Sequence, residues 1–434
     1  MRANELAAVE GRLEAFLGEL TGFLGRRDRR AWASAYVRGL LLDGERKSAE
    51  PMATRLGKSK QGLQQFVSQS PWPAATLLEG LVRREARRAA PDYWIIDETS
   101  FPKAGKHSVG VARQYCGALG KIANCQVAVS LHRAGERPAE GRPLSWRLYL
   151  PEAWTADVAR RAAAGVPAEV AYQSKTDLAL AVLDEALGWG AYPGLVLADE
   201  AYGGSFEWRA ALRQRGLRYA VRVPWTTTGW KDAPLFEPQK LTAKGRSARR
   251  PRPLGPGPQD VRQIARALPA DAWTAVTWRQ GSKGPQTNRF ARLPLWAANG
   301  WRTGPQPARI EEALLIEWPT DAPEPTRYWL AQTASNLPLP TLVAAAKARW
   351  RIEQDYRELK EELGLDHFEG RSWAGWGHHL ALATVAFAFL RAEQRRRTLG
   401  AQKKAAANPA RDAPAPPGRA HPLERPMSLV PNPL

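Results

Sequence analysis

The sequence predicts an α/β protein: a mixed sheet flanked by helices, preceded by an all-helical stretch and interrupted late by a β-rich insertion. Three observations carry that expectation. Apolar residues keep helical spacing, without strand-like alternation, up to about residue 90; three strand-like segments follow in series from Tyr93; and helices then alternate with strands. A chain of 434 residues is too long for one ordinary core, which predicts two or three domains, and 44% hydrophobic residues suffice to build them.

Residues 1–90 read as a helical domain, with LAAVEGRLEAFLGEL and AWASAYVRGLLL carrying the period. Within it, residues 48–69 read as two short helices. Ser48 can cap the first, Pro51 suits its opening turn, and Gly57 ends it before Lys58 and Ser59. The pattern is that of a helix-turn-helix whose second helix offers Lys60, Gln61, Gln64 and Gln65 to base edges. An ordinary helical hairpin with a solvated face fits the same residues.

From 91 the texture changes to strands: YWIID (93–97), KIANCQVAVSLH (121–132) and LSWRLYL (144–150). A helix follows over SKTDLALAVLDEAL (174–187) with Ser174 as N-cap, then a buried-type strand, GLVLAD (194–199). The helix SFEWRAALRQR (205–215) leads to the strand LRYAVRV (217–223). Across 91–223 this order matches an RNase H-like fold, an antiparallel meander extended by right-handed βα units. Order alone leaves flavodoxin-like and other mixed sheets open.

Residues 224–338 interrupt that core. The basic, Gly- and Pro-rich segment 243–258 reads as a flexible loop. AWTAVTW (272–278), NRFARLPLW (288–296), EEALLIEW (311–318) and RYWLAQT (327–333) read as strands of a β-rich insertion domain. Residues 339–395 return to the core with a long amphipathic helix over 339–364, stopped by Gly364, and an apolar closing helix over 378–394. The low-complexity tail, 396–434, is expected to be disordered.

Charge narrows the function classes. Lys plus Arg number 63 against 43 Asp plus Glu, and the net charge of +20 calls for a polyanionic partner, with nucleic acid leading. No run approaches the ~18 apolar residues of a membrane helix, and the first residues lack a signal-peptide apolar region. A cytoplasmic, nucleoid-associated protein without a membrane partner is expected. Cys116 and Cys125 form no CxxC pair and read as reduced, packed thiols. His378 and His379 are adjacent, point to different helix faces and make a poor shared metal site, so a structural or phosphate-contact role suits them better.

In-line attack on a phosphodiester uses two divalent cations about 4 Å apart, and such hard ions take carboxylate oxygens. Asp97 ends the first strand and Asp199 the fourth, neighbours in an RNase H-like sheet; Glu353 lies mid-helix in RWRIEQDY and can lean over that edge. Taken singly, each acid has an ordinary role: a turn for Asp97 or Asp199, i,i+4 pairs with Arg349 and Arg357 for Glu353. Their joint placement carries the inference.

The stretch from Tyr93 to about Leu390 resembles the DDE transposases of bacterial insertion sequences that carry a β-rich insertion between the second Asp and the Glu. The matching segments are IIDETSFPKAGKHSVGVARQYCGALGKIANCQVAVSL, VLADEAYG, RWRIEQDYRELKEELGLDHFEGRSW and WGHHLALATVAFAFL. The chain is also similar to cut-and-paste elements whose catalytic helix bears Tyr-x2-Arg-x3-Glu-x6-Lys. Arg349, Glu353 and Lys360 keep that spacing, whereas Ala346 stands at the tyrosine position and puts that one contact in doubt. The resemblance implies that Asp97, Asp199 and Glu353 are catalytic and hold two Mg²⁺, with Mn²⁺ able to substitute, and that Arg349 and Lys360 hold phosphates. Further DNA contacts are expected from Lys103, Lys106, His107, Arg113 and Arg371, and from Lys60 and Gln64 near the N-terminus. In related elements an insertion tryptophan stacks on a flipped base; here most of Trp273, Trp278, Trp296 and Trp318 are expected in strand cores.

The implied activity is cleavage of insertion-sequence ends and cut-and-paste strand transfer into target DNA, with the passage through a hairpin during excision left open. The implied partners are double-stranded DNA, as terminal inverted repeats and as target, and a second copy of the chain in a dimeric synaptic complex. An RNase H-like nuclease or resolvase without strand transfer, and an inactive domesticated DNA-binding protein, are the alternatives.

Overall fold

A computed structural model describes residues 3–85, 91–237, 253–281, 284–298, 310–334 and 336–407. Met1–Arg391 form one compact unit and Ala392–Leu434 a second.

The described part of the first 90 residues is helical: α1 (Ala3–Thr21), α2 (Arg27–Leu41), α3 (Ala49–Leu56), α4 (Lys60–Gln69) and α5 (Ala74–Glu85). Their apolar stripes meet around Leu17, Leu20, Val37, Leu40, Leu63 and Phe66, all nearly inaccessible to solvent. The two helices read over 48–69 are present. Gly57 adopts the left-handed conformation (φ 60°) that ends α3, and the Ser59 hydroxyl caps α4 by accepting from Gly62 N–H. Ser48 stands at the first N-cap position without a side-chain bond.

The strands join one mixed sheet. β1 (Tyr93–Pro102) pairs antiparallel with β3 (Lys121–Ala134), whose far edge carries β2 (Ala112–Cys116) along its first half and β4 (Arg142–Leu148) along its second. Short helices α6 (Glu152–Thr155) and α7 (Val158–Ala164) lead to α8 (Lys175–Gly188), where Ser174 and Asp177 close a capping box. β5 (Leu195–Leu197) runs parallel to β1; then come α9 (Glu200–Gly203), α10 (Phe206–Gln214) and β6 (Tyr219–Val223). Trp94, Ile96 and Val196 face a core shared with α8 and α10. Ile95 and Leu197 point to the opposite face, where Ile352, Leu359 and Val385 cover them.

Three sequence expectations change here. The first strand extends to Pro102, so Asp97 lies in mid-strand; β3 pairs with it along its whole length, which carries the chain past the turn-like DETS. Asp199 is two residues beyond β5, at the N-cap of α9, where its Oδ1 accepts from Ala201 N–H at 3.0 Å. The short strand β2 carried no sequence signal and forms by pairing with β3.

Residues 224–338 are rich in strands, as read: β7 (Thr228–Trp230), β8 (Gln259–Asp260), β9 (Thr274–Gly281), β10 (Gly284–Ala297), β11 (Glu311–Trp318) and β12 (Arg327–Gln332), with α11 (Val261–Arg266) among them. They extend the core sheet instead of forming one of their own, because β12 pairs antiparallel with β6. Of the loop read at 243–258, residues 243–252 lie outside the described residues.

The long helix read over 339–364 is broken. α12 (Leu339–Ala346) gives way to a 3₁₀ turn at Lys347–Arg349 before α13 (Trp350–Glu361), which places Glu353 in a first turn, not mid-helix. At the break the Lys347 ammonium reaches both oxygens of buried Glu317 on β11, at 2.8 and 2.9 Å, and lies over the Trp278 ring. α14 (Trp373–Ala407) overruns both the closing helix and the start of the tail: 396–407 are helical, and 408–434 lie outside the described residues.

A buried ion pair joins the two parts of the sheet. Arg209 on α10 donates to Glu312 on β11 at 2.9 Å and to Gly203 O at 2.6 Å, and Tyr219 Oη donates to the same carboxylate at 2.6 Å. Both charged side chains are fully buried, so removing one strands the other without solvent. Glu312→Ala is expected to cost roughly 3–5 kcal/mol in chemical denaturation, and the double change Arg209→Met with Glu312→Leu clearly less. Equal losses would contradict the pairing.

Candidate active site

A cleft of about 630 Å³ opens where β1, the end of β5 and α13 meet. β1 and β5 run side by side, Tyr93 against Leu195 and Ile95 against Leu197, so Asp97 on β1 and Asp199, the N-cap of α9 just beyond β5, both reach the cleft that α13 lines. From α13, residues 349, 353, 356 and 360 fall on one helix face, and all four line the cleft. The opposite side of α13 is anchored. Asp355 Oδ2 meets His132 Nδ1 at 3.0 Å and Asp355 Oδ1 accepts from Arg391 at 2.8 Å, so α13 is tied to β3 and α14 through buried groups.

Arg349 is the charge that holds the acids together. Its guanidinium donates to Asp97 Oδ2 and, through Nη2, to Glu353 Oε1 at 3.0 Å. Asp97 Oδ1 accepts from Glu98 N–H at 2.9 Å. Burial pushes the Asp97 carboxyl up to about 7, against the pull of Arg349 and with the push of Asp199. Lys360 is shifted down by burial; its ammonium donates to Ser100 O at 2.9 Å on β1.

The donor set is all oxygen, the chemistry that hard divalent cations take. Among the described residues, no group of three or more His, Cys, Asp or Glu is drawn close enough to hold an ion. The guanidinium of Arg349 provides the positive charge at two of the three carboxylates, and Glu353, whose side chain is 60% accessible, is free to turn. The three carboxylates therefore fit divalent cations in donor chemistry, while their present positions do not gather them around an ion.

Of the residues singled out in the sequence, Asp97, Asp199, Arg349, Glu353 and Lys360 share this cleft. Lys103 turns inward, donating to Phe368 O at 2.6 Å, because burial and the nearby backbone oxygen take its ammonium out of solvent. Lys106, His107, Arg113 and Arg371 are exposed outside the cleft lining. Lys60 and Gln64 border a separate hollow with His367 and Phe368, and Lys60 pairs with Glu50 at 2.6 Å. The His378 ring nitrogens lie 2.8 Å from Val67 O and 2.6 Å from Trp72 O and the ring stacks on Trp72, while His379 bridges Tyr36 to the carbonyls of Gly364 and Leu365; both are buried and internal. The cysteines are free thiols, both buried.

Two residues escaped the sequence reading. Tyr356 is buried with its hydroxyl against Asp97 O at 3.1 Å and Ser130 Oγ at 2.7 Å, which pins α13 to β1 behind the acids. An aromatic three residues after Glu353, on the polar face, was the available signal. The other is Tyr115, which reaches the cleft from the unread strand β2.

Residues 19–285 match a protein family described as DDE superfamily endonuclease. That match includes Asp97 and Asp199 and ends before α13. A probable transposase for insertion sequence element IS701 from Microchaete diplosiphon is 31% identical over 191 residues, 43% of this chain and 46% of that relative. The chain thus aligns with about half the length of the relative.

The raised Asp97 gives a pH signature. Between the unfolded value near 4 and about 7 the native state holds the extra proton, so this group's contribution to stability falls as pH rises through that window. Asp97→Asn, matched in shape and uncharged, is expected to be more stable than the parent by a few kcal/mol at about pH 8, with the difference vanishing near pH 4. Thermal melts across pH check this; a constant difference would refute it.

Proposed function

Since the chain belongs to the DDE superfamily of endonucleases, we propose that it is a DNA transposase that cuts insertion-sequence ends and joins them to target DNA. The observation that supports this most is the shared cleft, lined by Asp97 on β1, Asp199 just beyond β5 and Glu353 on the anchored helix, with one guanidinium bonded to the first and the last of them. The strand order around β1, with β3 and β4 on one side and β5 and β6 on the other, supports reading this part of the mixed sheet as an RNase H-like core. The name of the IS701 relative points the same way.

In this reading Asp97, Asp199 and Glu353 hold two divalent cations, Mg²⁺ by preference. When bound, such ions activate water and stabilise the oxygen that leaves phosphorus. The chain's own groups do the rest. Arg349 leaves Asp97 and Glu353 for a DNA phosphate, which frees both carboxylates; Lys360, fixed on Ser100 O, gives a second phosphate its charge-assisted contact. Tyr356 and the His132–Asp355–Arg391 network keep α13 in place while Glu353 turns. Double-stranded DNA follows the basic surface of a chain of net charge +20. The helices α3 and α4 serve terminal-repeat binding, the strands of 224–338 act as the insertion domain, and two copies pair the element ends.

Purified protein with Mg²⁺ or Mn²⁺ and labelled element ends provides the test. The parent is expected to nick the ends and to yield joined products with target DNA; cleavage without joining would favour a nuclease. Asp97→Ala is expected to lose cleavage by several orders of magnitude and to keep DNA binding. Undiminished cleavage would remove Asp97 from the mechanism.

A further inference from the structure

The β2–β3 hairpin bears large side chains that its own packing does not use. Tyr115 and Ile122 are direct cross-strand partners and so share one face, yet they are 62% and 60% accessible. Leu119, in the turn between them, is 48% accessible. Aromatic and β-branched pairs ordinarily stabilise a sheet by being covered, and a contiguous exposed apolar group with a polar rim marks a contact surface. A cation stands on the same face: Arg113, exposed, lies two residues before Tyr115.

The hairpin is also held rigidly at the cleft. Ala118 N–H donates to Ser100 Oγ at 2.9 Å, and the Cys116 thiol meets the same oxygen at 3.4 Å. Ser100 lies three residues along β1 from Asp97, a span of roughly 10 Å. Tyr115, Gly117 and Ala118 line the same cleft as the three carboxylates.

We propose that the Tyr115–Ile122 pair is a nucleobase-stacking platform, which seats an unpaired base of the DNA strand whose phosphates lie in the cleft. This rests on the functional reading above. Every nucleobase has a π-face, so an aromatic ring beside a cationic groove suits single-stranded DNA of any sequence. The flanking Arg113, with the net charge of +20, favours a polyanion over an apolar protein partner. Both side chains stand in solvent, so replacing them spares the core.

The test compares two synthetic DNAs without divalent ions: a blunt duplex, and a duplex of equal length carrying a short single-stranded extension with 2-aminopurine. With full-length protein, the extended DNA is expected to bind with quenched 2-aminopurine emission. Tyr115→Ala is expected to weaken that binding roughly 5- to 100-fold and to abolish the quenching, with blunt-duplex affinity unchanged. Tyr115→Phe is expected to retain both. Equal losses on the two DNAs, or no loss on either, would overturn the platform and leave the functional reading standing. Lost self-association with intact DNA binding would assign the patch to a protein contact and overturn it as well. Failure of the unaltered protein to bind either DNA would overturn the functional reading itself, and the platform with it.

Discussion

The site depends on a problem of charge. Carboxylates cannot be gathered in a partly desolvated cleft unless a cation compensates them, because each buried anion raises the cost of the next. Arg349 is that cation: one guanidinium bonds to Asp97 on the central strand and to Glu353 on the covering helix, with Asp199 close enough to be felt electrostatically. A forked, permanently charged donor suits the task better than an ammonium, since two acids can be served in fixed directions. Even so Asp97 remains raised to about 7, which shows that one guanidinium does not fully offset its burial and the neighbouring acid.

That arrangement requires α13 to be held from behind. One side is fixed by Asp355 between His132 and Arg391, and the cleft-lining side by the Tyr356 hydroxyl against β1. Its start is fixed from another direction, where Lys347 meets Glu317 at the helix break. Glu317 belongs to β11, a strand of the inserted region, and reaches the helix because β12 continues the core sheet from β6. The inserted strands therefore contribute to the position of Arg349 and Glu353 without touching either. Arg209 and Glu312, buried between α10 and β11, lock the same junction.

Much of this was legible in the chain, for identifiable reasons. Ser174, Ser205 and Gly57 announce helix ends through local hydrogen bonding and backbone conformation, so their elements were read within a residue or two. Asp97, Asp199 and Glu353 stood out because each follows or sits within a strongly patterned segment. What was not legible depends on partners distant in sequence. β2 is a strand only because β3 lies beside it, β1 outlasts its apolar run because β3 accompanies it to Pro102, and helical periodicity passes through Lys347 without registering that Glu317 will draw its ammonium aside. Lys103 illustrates the same limit: as a loop cation it reads as a surface contact, yet Phe368 O takes its ammonium inward.

Under the proposed function, the same geometry bears on how metal and DNA would share the cleft. Arg349 satisfies the carboxylates only while it has no better anion, and a phosphate diester offers bidentate acceptance without the desolvation already imposed on Asp97. The acids, in turn, gain from exchanging one shared guanidinium for cations of higher charge. Each exchange alone leaves something uncompensated: moving the guanidinium strands the carboxylates, and adding divalent charge beside it sets like charges together. Carried out together, they would leave every charge paired, and the proposed function would then couple occupation of the cleft by DNA to occupation by metal through a single side chain.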